Sequence, residues 1–117
     1  MGSKAVYQAG MDGENQAEAF LCSHGMELVA RRIRYGTGEI DLVMQQGETL
    51  VFVEVKYRPG DAAGAGLKAI SPGKIRRTID CARHFLTQRD WLDRPVRFDA
   101  LEITRDGILH IPNAFQA

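Results

Sequence analysis

Apolar and polar residues change their spacing several times along the chain, and each change marks an element. From about Gly13 to Ser23 the apolar positions Ala17, Phe20 and Leu21 recur at helical spacing, with Asp12 placed to cap the start and Gly25 just past the end. The spacing predicts a helix there, preceded by a loose arm over residues 1–11, where no periodicity shows. At about 100° per residue, Glu14 falls within roughly 20° of Leu21 and Glu18 lies farther round. Glu14 is therefore the acidic residue placed to look toward the interior or a cleft.

From Met26 to Tyr57 the period shortens to two. Glu27 to Tyr35 reads as a first strand, with Arg31, Arg32 and Arg34 near its end. Thr37-Gly38 breaks the chain before a second strand, Glu39 to Met44, and the turn Gln45-Gln46-Gly47-Glu48 returns it as a hairpin into Leu50-Val51-Phe52-Val53-Glu54-Val55-Lys56-Tyr57. Residues 59–66 are too rich in glycine and alanine for regular structure and read as a loop. Ser71-Pro72 is an N-cap followed by proline at the first helical position, and a second helix runs to about Gln88 on Ile75, Ile79, Ala82, Phe85 and Leu86. Val96 to Thr104 alternates again, and Arg105-Asp106-Gly107 turns it into a short last strand, Ile108 to Ile111. The order is α-β-β-β-α-β-β, an α/β fold in which a mixed sheet is flanked by helices.

Composition bounds this picture without changing it. At 117 residues, 44% hydrophobic and 26% charged, the chain suits one domain with its own core. It contains no apolar run long enough to span a membrane and no signal-peptide pattern, so a cytoplasmic protein is expected. Cys22 and Cys81 have no metal-binding or redox spacing and read as small core residues. His24, His84 and His110 are scattered, which argues against zinc. Net charge is zero, but its distribution is uneven: residues 1–54 hold 8 acidic and 4 basic side chains, and residues 55–117 hold 7 and 11. An acidic patch beside a basic stretch suits a metal site that acts on a polyanion. A solvated helix face explains the basic stretch equally well.

The third strand carries the candidate chemistry. Alternation puts Phe52, Glu54 and Lys56 on one face and Val51, Val53 and Val55 on the other. Two charges on a strand apolar enough to be central are unfavourable unless they pair or bind something. Asp41 joins them across the hairpin, and Glu14 comes in from the first helix. Converging carboxylates repel unless a hard divalent cation neutralises them, and Mg²⁺, with Mn²⁺ as an alternative, takes such oxygen donors. Such an ion makes water more acidic and offsets charge developing on phosphate, while Lys56 orients the nucleophile or holds the phosphate. The acid-x-Lys spacing by itself is weak, since chance gives about 0.5 matches in a chain of this composition. An edge Glu–Lys pair without chemistry is the plain alternative.

Gly38-Glu39-Ile40-Asp41-Leu42-Val43, followed by Phe52-Val53-Glu54-Val55-Lys56-Tyr57-Arg58, resembles the bacterial YraN-like family. That family is similar to Holliday-junction resolvases and to the restriction-endonuclease-like PD-(D/E)xK nucleases. Looser matches extend over most of the chain: Gly13-Glu14 in the first helix, Lys74 at the start of the second, Arg97-Phe98-Asp99, and Ile111-Pro112-Asn113-Ala114-Phe115. The resemblance implies a restriction-endonuclease-like domain with metal-binding roles for Glu14, Asp41 and Glu54 and a catalytic role for Lys56. It also favours Asp41 over Glu39, which strand alternation leaves on the same face. The expected activity is a metal-dependent, structure-selective DNA endonuclease of the recombination and repair type, acting on branched DNA, with a homodimer suggested by the resolvase likeness. Arg31, Arg32, Arg34, Arg58, Lys74 and Arg77 are the expected phosphate contacts. Two alternatives are a non-catalytic nucleic-acid-binding or adaptor protein that keeps the fold, and a structural partner protein. Asp99 reads as a structural hydrogen-bonding residue, and Trp91 and Tyr57 read as packing residues rather than base stackers.

Overall fold

The alternating segments assemble into one five-stranded sheet in the order β1-β2-β3-β4-β5. The strands are β1 (Glu27–Tyr35), β2 (Gly38–Gln46), β3 (Thr49–Arg58), β4 (Val96–Thr104) and β5 (Gly107–Phe115). All pairings are antiparallel except β3 with β4, which run parallel because helix α2 (Pro72–Gln88) carries the chain across. Helix α1 (Gly2–Ser23) precedes the sheet, so the order read from the sequence, α-β-β-β-α-β-β, is the order found. The computed structural model describes residues 2–64 and 70–116, with side chains from residue 11 onward. The glycine-rich loop expected over 59–66 is thus described through Gly64, and residues 65–66 lie outside the described residues. No described helix is long and apolar enough to cross a membrane.

The two helices cover opposite faces of the sheet. Ala17 and Leu21 of α1 pack on Leu42, Met44, Val51, Val53, Leu101 and Ile103. Cys81, Ala82, Phe85 and Leu86 of α2 pack on Ile40, Val43, Leu50, Phe52 and Phe98. Alternation along β3 therefore sends Val51 and Val53 toward α1 and Phe52 toward α2, the partition its sequence requires.

Three boundaries differ from expectation. Helix α1 begins at Gly2, where a loose arm ahead of Gly13 was expected, so Asp12 is inside the helix and does not cap it. Nothing in residues 2–12 forbids this, since the segment holds no proline and three alanine or glutamine residues that favour helix. Strand β5 runs on to Phe115 past the expected end at Ile111, because an edge strand is paired on one side only and so tolerates Pro112. Cys22 is exposed and only Cys81 is buried, because Cys22 lies a step round the helix from Leu21.

Candidate active site

The site forms where β2 leaves β3. Ladder pairing between the two strands runs from Gln46↔Thr49 to Leu42↔Val53 and stops there. Ile40 packs in the α2-side core and Leu42 in the α1-side core, although alternation would give two even positions one face. The residue between them, Asp41, is thereby turned into the opening fork. Its Oδ2 accepts the Val55 backbone N–H at 2.7 Å, replacing the ladder bond that β2 no longer supplies. Strand β1 is distorted opposite this point. Its pairing with β2 passes from Arg31↔Leu42 to Ile33↔Ile40, and Arg32 between them has φ +50°, a left-handed conformation uncommon for arginine.

Two glycines let the helices reach the fork. A Cβ on Gly38 would lie 2.3 Å from the Arg77 carbonyl oxygen, so only glycine lets the start of β2 touch the α2 backbone. A Cβ on Gly13 would lie 2.7 Å from the Tyr57 Cβ, so α1 approaches β3 closely at the residue before Glu14. Glu14 is buried on the α1 side, with its Oε1 accepting from Arg32 Nε at 2.8 Å. Glu54 emerges toward α2. Lys56 Nζ stands 3.2 Å from Glu54 Oε1, and Lys74 Nζ makes a closer ion pair with the same oxygen. Lys74 is set in place by the helix cap: Ser71 Oγ accepts the Lys74 backbone N–H at 3.1 Å, which fixes the first turn of α2 against the fork.

Asp41, Glu54 and Lys74 line a cavity of about 300 Å³ between β2, β3 and α2, together with Arg77, Glu39 and Thr37 among others. Burial, with the nearby charges of Glu14, Glu54 and Glu39, raises the Asp41 carboxyl to about 6 despite the Val55 hydrogen bond. Burial works against the Lys74 charge, but the carboxylates of Glu54 and Asp41 outweigh it and raise its pKa. The donor chemistry fits a hard divalent cation: three carboxylates from three elements, of which Asp41 is destabilised by the charges of the other two. Among the described residues no three such groups stand together as a ready metal cluster. Their positions are those of a charge-paired site, and admitting a cation requires Glu14 to part from Arg32 and Glu54 from Lys74.

The residues expected at the centre divide by face. Asp41, Glu54 and Lys56 meet at the fork on the α2 side, where Lys74, which was not expected at the centre, joins them, while Glu14 approaches Asp41 from the α1 side. Of the expected phosphate contacts, Arg31 pairs with Glu18 and Arg32 with Glu14, both on α1. Arg34 is exposed and pairs with Glu39 at 3.4 Å, Arg58 is exposed at the end of β3, and Arg77 lines the cavity. Lys74 lies nearer the carboxylates than its expected role as a phosphate contact requires. The Ser71-Pro72 cap signals only that residue 74 lies in the first turn of a helix.

Asp99 belongs to a separate network under α1. Its Oδ1 and Oδ2 accept from the Arg97 guanidinium at 2.8 and 2.9 Å, and His110 Nε2 and the Asn113 backbone N–H also reach it, at 2.7 and 2.9 Å. Burial alone would raise this carboxyl, but Arg97, Asn113 and His110 outweigh it and hold it below the usual range. These contacts pin the bulge where β4 meets β5, the structural role expected from sequence. Tyr57 packs on Gly13 and Trp91 edge-on to Phe85, so both serve packing.

Residues 13–103 match the model of Uncharacterised protein family UPF0102. A UPF0102 protein of Shewanella loihica is 45% identical over 106 residues, covering 91% of this chain and 92% of the relative. One from Shewanella amazonensis is 43% identical over the same length, covering 91% and 97%. A UPF0102 protein of Methylobacillus flagellatus is 42% identical over 113 residues, covering 94% and 98%. The matched span includes Glu14, Asp41, Glu54, Lys56 and Lys74.

Proposed function

The chain belongs to the UPF0102 (YraN-like) family, and from the geometry of the fork we propose that it is a metal-dependent, structure-selective DNA endonuclease of the recombination and repair type, acting in the cytoplasm. One observation carries this reading: Asp41, raised to about 6 by desolvation and by the charges of neighbouring carboxylates, opens beside Glu54 and Lys74 onto a cavity of about 300 Å³, with Lys56 3.2 Å from Glu54.

Glu14, Asp41 and Glu54 would hold Mg²⁺ or Mn²⁺, which when bound stabilises charge developing on the phosphate and makes water more acidic. Asp41, ionised above about pH 6, supplies the central negative charge, and the Val55 N–H keeps its carboxylate aimed into the fork. Lys56, two residues from Glu54 on the same face, orients the attacking water in line with the scissile bond. Lys74, released from Glu54, offers a point charge to a non-bridging phosphate oxygen. Two copies cutting paired strands would suit branched DNA.

A nucleic-acid-binding protein that keeps the fold without turnover is the second reading, favoured by the pairing of Glu54 with both Lys56 and Lys74. The deciding experiment incubates the protein with branched, flapped and linear DNA plus Mg²⁺ or Mn²⁺, beside Asp41→Ala and Lys56→Ala. Cleavage by the wild type that is lost in both variants supports the endonuclease. Binding by all three without cutting supports the second reading.

A further inference from the structure

A second cavity, of about 210 Å³, lies along the seam between α2 and β1 and has no part in the site above. Arg34, His84 and Arg89 line it beside Cys81 and Phe85. The two cavities adjoin. Arg34 of the second is ion-paired with Glu39 of the first. Cys81 Cβ of the second lies 3.1 Å from where Gly38, which lines the first, would carry a Cβ. On α2, Lys74, Arg77 and His84 fall on one side of the helix, so the two cations lead outward from the carboxylates toward the His84 ring. At 1.5 Å per residue His84 stands about 15 Å along the axis from Lys74.

An aromatic platform ends this track. Tyr35 and His84 stack with ring centroids 3.9 Å apart and planes within 13°. With one ring face against His84, Tyr35 still leaves 49% of its surface exposed, so its other face is open to solvent. Cations followed by an open aromatic face are the parts that bind an unpaired strand, phosphates on the cations and a base on the ring. A duplex does not fit this arrangement, because its bases have both faces stacked on their neighbours. The acidic groups along the path are Glu39, paired with Arg34, and Asp80, exposed and farther round the helix.

We propose that the α2–β1 seam binds single-stranded DNA leading away from the carboxylate fork, with Arg77 and Arg34 on its phosphates and Tyr35 beneath one of its bases. Its direction, with one end at the scissile phosphate, rests on the endonuclease reading. Binding itself does not, and it is measured without cleavage.

The test uses the full chain in EDTA and the fluorescence anisotropy of a labelled short oligo-dT and a duplex of equal length. The oligo-dT binds about tenfold or more tighter than the duplex. Tyr35→Ala weakens oligo-dT binding by on the order of 5- to 100-fold, Tyr35→Phe restores it, and duplex binding stays unchanged. Arg34→Ala makes the slope of log K against log salt shallower by about 0.7, one phosphate contact on a single strand. Equal affinity for the two DNAs, or oligo-dT binding unchanged by Tyr35→Ala, overturns the proposal. Should Tyr35→Ala fail to fold by circular dichroism, an unchanged salt slope in Arg34→Ala overturns it instead. Tyr35-dependent binding by a protein that cuts nothing in Mg²⁺ removes the endonuclease reading and leaves the track. Cleavage by a protein that binds both DNAs equally removes the track and leaves the reading.

Discussion

Replacing Asp41 with asparagine should abolish cleavage and make the protein more stable. The carboxyl titrates near 6 in the folded chain against 3.8 when unperturbed, because it is buried beside Glu14, Glu54 and Glu39. Above pH 6 it is charged in both folded and unfolded states, and folding carries the full penalty of about 3 kcal/mol, at 1.36 kcal/mol per unit. Between 6 and 3.8 the folded state binds the proton more tightly, so stability rises as pH falls. Below 3.8 both states are protonated and the penalty is gone. Asparagine has no charge to lose, and its side-chain carbonyl still accepts the Val55 N–H. Its advantage over the wild type should therefore grow by about 3 kcal/mol between pH 4 and pH 8, with most of the change between 4.5 and 7.

The assay is urea unfolding of both proteins at several pH values in EDTA, read by circular dichroism. At roughly 2.1 cal/mol/K of unfolding entropy per residue, 3 kcal/mol corresponds to about 12 °C in Tm for a chain of this length. A second arm adds Mg²⁺ at pH 8. An ion present at ten times its Kd adds about 1.4 kcal/mol to the wild type and nothing to Asp41→Asn. A stability difference that does not change with pH, or an Asp41→Asn protein less stable than wild type at pH 8, would refute the electrostatic reading of the fork. An inactive but stabilised variant would mark a group kept for chemistry at the expense of the fold.

Lys56→Ala and Lys74→Ala should each slow cleavage by about 10²-fold or more while the protein stays folded, checked by single-turnover kinetics on a labelled substrate. Equal, non-additive losses in the double variant would place both lysines on one transition state. Gly38→Ala forces a Cβ to 2.3 Å from the Arg77 carbonyl, which is backbone and cannot turn aside. It should lower stability by about 3 kcal/mol, readable by urea unfolding, and weaken cleavage further by moving β2 off α2. Asp99→Ala strands Arg97 and the Asn113 N–H and should cost about 3–5 kcal/mol. Because the Asp99 carboxyl is held low, its contribution is complete above its unfolded pKa and fades as pH falls through the lowered one. Removing it should therefore flatten the acid limb of the stability profile.

Most of the fold was legible because the signals are local. Period-two alternation marks β1 to β4 to within a few residues, and Ser71-Pro72 marks the first turn of α2. The misread boundaries are those where tertiary context decides. The first turns of α1 show no periodic apolar face to read. Proline at 112 ends a strand in the interior of a sheet but not at its edge, and edge status belongs to the whole sheet.

The fork shows what alternation can and cannot supply. Placing Glu54 and Lys56 on one face of β3 needed only the period of a strand, and the structure pairs them at 3.2 Å. Applied to β2, the same rule leaves Glu39 and Asp41 alike, yet one is exposed on Arg34 and the other half-buried on Val55. What separates them is a break in alternation between Ile40 and Leu42, matched by the left-handed Arg32 opposite. Such a paired distortion depends on two strands at once and leaves no mark in either taken singly. Lys74 was hidden for a different reason. It stands 20 residues after Glu54, across a glycine-rich loop whose path no pattern predicts. A helix cap can say which residue leads a helix, but only the packing of α2 on Gly38 says that this residue meets Glu54. The same close contact joins the fork to the Tyr35–His84 platform, since Gly38 touches α2 between Lys74 and His84. One glycine therefore sets both where the carboxylates sit and where an unpaired strand would leave them.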